Sequence, residues 1–238
     1  MKTVYNPQIH IHSKVLVKEY VTDNCGEMIA ISTVWLHRFG RNDEALQLCD
    51  EVINTLLPEI EATELITKWS LLGPVCRVMA SQGQTSTAKK ALELFRTHVS
   101  DPVALAGSKA HPALVIGVPV HMIILKCRSS EGEAYADLKS DFACMMNRKD
   151  PEWSELTCLS YFDAAWSTIC AEACLCLAGI TDCDSQEASK SELIKEGLKC
   201  LEVSANTLTK TDGKIVNSMA HAYYSQILSE LENLNAPV

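Results

Sequence analysis

Helix breakers and aromatic side chains are in short supply here: 10 glycines, 8 prolines and 6% Phe, Trp and Tyr in 238 residues. With few Gly and Pro and abundant Ala, Leu, Glu and Lys, helix is favoured throughout and no segment reads convincingly as a strand. Positive charge is also short. Lys and Arg total 21 against 30 Asp and Glu, the formal net charge is -9, and no basic run occurs. Nucleic acid requires clustered cations that displace counterions, and anionic membrane surfaces attract the same clusters, so neither is expected as a partner. The longest apolar run, Ala113 to Leu125, is broken by Gly117, Pro119 and His121. It falls short of the ~20 residues that span a bilayer. The stretch Met1-Lys2-Thr3-Val4-Tyr5-Asn6-Pro7-Gln8 lacks the apolar centre of a secretory signal. These absences predict a soluble, cytoplasmic protein.

What remains is ordinary globular composition, 47% hydrophobic and 21% charged, enough to bury a substantial core. The eleven cysteines are an odd number without an export signal. They read as free thiols in a reducing compartment, filling core space as small hydrophobes rather than forming a disulfide framework.

The chain repeats itself. Phe39-Gly40-Arg41-Asn42-Asp43-Glu44-Ala45-Leu46 closes one helix and opens another, and Ser81-Gln82-Gly83-Gln84-Thr85-Ser86-Thr87-Ala88 does so again. Gly40 and Gly83 are 43 residues apart, as are Ala45 and Ala88, while Pro74 and Pro119 are 45 apart. A period of ~20 to 50 residues marks stacked supersecondary units, none of which can bury its apolar face alone. Apolar spacing and breakers predict helices over about 9–22, 27–39, 43–57, 61–82, 86–99, 112–128, 134–145, 152–177, 191–208 and 215–234. Asn42 or Asp43 is expected to cap the third of these, and 181–189 reads as an inserted polar loop. The units fall at about 9–58, 61–99, 112–147 and 152–208, with 215–234 as a capping helix of a single domain.

Leu36, Gly40, Ala45, Leu48 or Cys49, Val52 and Pro58, followed by Leu72, Met79, Gly83, Ala88 and Leu92, resemble the tetratricopeptide repeat. There a small residue lets two helices approach and a Gly takes the turn. The resemblance runs over about 27–98 and becomes architectural beyond 152, with a longer period than the family's usual ~34. It implies an all-α, right-handed α-solenoid of stacked antiparallel hairpins, about ten helices in all. It also implies a concave groove lined by the first helix of each hairpin. Matching positions place Ala30, Val34, His37 and Arg38, then Gly73 and Arg77, then Ile123 and Lys126 in that groove. Members that clamp chaperone C-terminal carboxylates use Lys and Asn where this chain has Ala30, Val34 and Gly73, so that clamp is not expected. Arg38, Arg77 and Lys126 suit an acidic protein or peptide partner.

Catalysis finds no foothold. No Gly-x-Ser-x-Gly, phosphate-binding Gly-rich loop or His-x-x-x-His occurs. Cys170, Cys174 and Cys176 with Cys183 invite a metal, but on a helix Cys176 turns away from the other two, and small helix-interface residues are the simpler reading. His10 and His12 diverge if helical. No metal or cofactor is expected. The function class that results is a non-enzymatic scaffold or adaptor holding a peptide, helix or subunit. Its alternatives are a structural subunit of a stable complex, or a small-molecule sensor or enzyme with a pocket inside the stack.

Overall fold

A computed structural model describes residues 25–61, 64–99, 112–129, 140, 160–180, 187–208, 224 and 226–234. The predicted helix over 9–22 and, apart from residue 140, that over 134–145 lie outside them, as do His10, His12 and Cys183. The described residues are 90% helical and contain no strand, as composition and apolar spacing predict. They form eight α-helices: α1 (Cys25–Arg38), α2 (Asn42–Glu51), α3 (Leu65–Ala80), α4 (Thr85–His98), α5 (Pro112–Ser129), α6 (Ser160–Gly179), α7 (Glu187–Leu208) and α8 (226–234).

The two matching turns are built alike. Gly40 has φ +72° and Gly83 φ +73°, the left-handed region in which a Cβ is strained. At the first, the Gly40 N–H donates to His37 O at 3.0 Å and the Arg41 N–H to Leu36 O at 2.9 Å. This paired closure satisfies two carbonyls at the end of α1 and reverses the chain. The cap of α2 differs from expectation. Arg41 holds the N-cap position without a side-chain cap. Asn42 cannot serve, because its Oδ1 accepts from His37 Nδ1 at 2.9 Å. Asp43 and Glu44 instead place negative charge in the first turn, where the helix dipole favours it. The far end loosens into a π turn over Val52–Leu56 and a 3-10 turn over Leu57–Glu59. The Leu57 N–H bonds Val52 O, one residue further back than in an α-helix, and Pro58, next in the chain, has no N–H to continue the ladder. Near the other end of the chain, α7 begins at Glu187, earlier than predicted, taking three residues from the expected loop.

Packing follows chain order. α1 packs on α2 and α3, α3 on α4 and α5, α4 on α5, α5 on α6, and α6 on α7. Each apolar stripe is thus covered by its own hairpin partner and by the next unit. One contiguous core results, running from Ile29 through Leu72, Phe95 and Ile124 to Leu177, Leu201 and Leu231. Two helices are sheathed on every side: residues 71–80 of α3 and 167–178 of α6 are buried without interruption.

The approach of α3 to α5 is set by two reciprocal notches. The Trp69 ring of α3 lies over Gly117 of α5, and the His121 ring of α5 lies over Gly73 of α3. Each ring precedes or follows its own helix's glycine by four residues, one turn, so ridge and groove interlock in both directions. α6 and α7 use the same device with a thiol: a Cβ on Gly197 would stand 3.1 Å from Cys174 Cβ.

Candidate functional site

The face assigned from sequence to a groove is largely interior. Ala30, Val34, Gly73, Arg77 and Ile123 are buried. Of the remaining three, Arg38 is exposed and His37 and Lys126 are half-buried. His37 closes the first turn through Asn42 and has Gln82 Nε2 3.3 Å from its Nδ1, tying the first hairpin to the second. The structure therefore does not bring these eight residues together on one surface. The reason is tertiary. α3 is covered by α1, α4 and α5, so its inner face meets helices rather than solvent.

Arg77 is the clearest case, with its side chain 1% exposed. Its Nε donates to Glu172 Oε2 at 2.7 Å, and its Nη2 bonds the same oxygen. The other oxygen, Oε1, accepts from Arg128 Nη2 at 3.2 Å. α3, α5 and α6 thus converge on one carboxylate, which is itself 1% exposed. Burial alone would push the Glu172 carboxyl up, but the Arg77 and Arg128 charges outweigh it and hold it below the usual carboxylate range. Buried charge is tolerated only when paired in this way.

His121 stands beside this cluster. Its Nδ1–H donates to Gly117 O at 2.8 Å, which leaves Nε2 unprotonated toward Gly73. The ring stacks on Phe95 at 5.5 Å and meets Trp69 edge-on at 5.8 Å. Burial, with the Arg77 charge adding to it, lowers His121 from 6.5 to about 4. The unfolded chain therefore takes up this proton first. Its contribution is complete above pH 6.5 and falls by up to about 3 kcal/mol as the pH drops to about 4. Glu172 acts in the same sense further down: its stabilisation is present above 4.5 and disappears as the pH falls through its depressed folded value. Urea unfolding across this range is expected to show a shallower acid loss for His121→Asn, which keeps a donor for Gly117 O. Identical pH slopes in the two proteins would remove His121 from the account.

The described thiols are chemically quiet. Cys49, Cys76, Cys127, Cys170, Cys174, Cys176 and Cys200 are buried, and none of them is in a disulfide. Burial raises Cys49 to about 12, and Cys176 and Cys200 to about 11. A thiol held protonated at neutral pH is a poor nucleophile and a poor metal ligand. Among the described residues no group of three or more His, Cys, Asp or Glu is placed to hold a metal ion. The described residues also contain no helix long and apolar enough to cross a membrane.

A cleft of about 440 Å³ opens where the ends of α5 and α6 meet α8. Leu175, Ile180 and Leu234 supply apolar wall, and Arg128, Glu230 and Asn233 supply polar groups. Arg128 joins this cleft to the buried cluster: its side chain is 23% exposed while its guanidinium is held by the interior Glu172. Glu230 and Asn233 are three residues apart on α8 and therefore share a face. The Glu230 Oε1 accepts from Gln226 Nε2 at 3.0 Å, which orients the carboxylate.

Sequence reasoning passed over Glu172 and Arg128, although a signal for the first was present. Glu172 is the single charge between Ser167 and Ala178, and Arg77 the single charge between Leu71 and Ala80. Lone opposite charges inside two wholly apolar helix turns point to a buried pair, because neither is stable there alone. No family matches the chain, and comparison with curated proteins and with solved structures finds no match either.

Proposed function

We propose that this chain is a non-enzymatic protein-interaction scaffold: a right-handed α-solenoid of tetratricopeptide-like hairpins that holds a peptide, helix or subunit of a protein partner. The observation that carries the reading is serial packing. Hairpins cover one another in chain order, and the same left-handed glycine turn returns after 43 residues. Stacks of this kind expose long surfaces assembled from successive units. The state of the interior groups supports the non-enzymatic part. Arg77 and Glu172 neutralise each other, burial lowers His121, and burial raises the thiols of Cys49, Cys76, Cys170, Cys174, Cys176 and Cys200.

Because Arg77 is internal, the partner surface is carried by the residues that remain accessible. Arg38 and Phe39 are exposed at the first turn, Phe39 at 70% and stacked on Trp35 at 5.6 Å, and Lys126 is half-buried. An exposed aromatic held by a second ring beside a cation is a suitable anchor for an acidic, partly apolar segment. Affinity capture from the native source should recover a stoichiometric protein partner. Arg38→Glu and Phe39→Ser should each lose it with helicity unchanged. Recovery of the same partners by both variants would remove this surface, and a chain that is purified alone at every step would remove the scaffold.

A further inference from the structure

We draw no further inference here: the strongest candidate, the cluster of buried thiols that Cys170 and Cys174 of α6 form with Cys200 of α7, carries nothing because nothing in the structure shows two of its sulfurs within disulfide reach and burial raises all three thiols.

Discussion

Glu172→Gln is expected to cost about 3–5 kcal/mol of stability, a large fraction of what an ordinary domain possesses. The substitution keeps the side chain's size and leaves the Arg77 guanidinium, 1% exposed, without the carboxylate that justifies its burial. Arg128 is affected less, because its side chain is 23% exposed and can turn toward water in the cleft. The comparison that identifies the cause is the double variant Arg77→Met/Glu172→Leu, which removes both buried charges and refills the space with apolar atoms. Replacing a buried pair in this way is often neutral, whereas breaking one is not. Urea unfolding should therefore find the double variant more stable than Glu172→Gln. If it is equally or more damaged, the penalty arises from packing and the stranded charge is not its source.

Gly117→Ala is the second large effect, about 1–3 kcal/mol by overpacking. The added methyl would stand 2.8 Å from Trp69 Cε2 and closer still to Cζ2, inside any tolerable carbon–carbon contact. Trp69 cannot simply turn away, since its ring also meets His121 edge-on at 5.8 Å. α3 and α5 must separate, and the His121 ring then loses its seat over Gly73, whose own Cβ would lie 2.8 Å from His121 Nε2. A double-mutant cycle with Trp69→Leu resolves the mechanism. Relief of the clash requires the double variant to be destabilised by less than the sum of the singles. Strict additivity would show that the two sites do not touch in solution.

Most of the local structure was legible. Helix, Gly turn, helix is a local decision: apolar spacing marks the face, and a residue that tolerates positive φ marks the reversal. The Gly40 and Gly83 turns form as the pattern requires. Local reasoning failed where a side chain had two candidate partners. Asn42 was a suitable cap by type, but His37 from the preceding helix engages its side-chain oxygen. Several residues assigned to the groove are interior for a different reason. Assigning Val34, Arg77 and Ile123 to an open face used their positions within a unit, whereas their exposure depends on how the units close upon one another. Arg77 meets Glu172 at a separation of 95 residues, and although its apolar neighbours in the second hairpin mark it for burial, they do not name its partner.

The sequence by itself determined the helices, the places where the chain reverses and the prevalence of core-filling cysteines, because backbone propensity, periodicity and turn stereochemistry act over a few residues. Only the tertiary structure decided which charges are interior, which glycine accommodates which ring, and where a cleft remains open. Those outcomes depend on distances between helices remote in the chain, and a lone charge such as Arg77 in an apolar stretch does not say which distant side chain makes its burial possible.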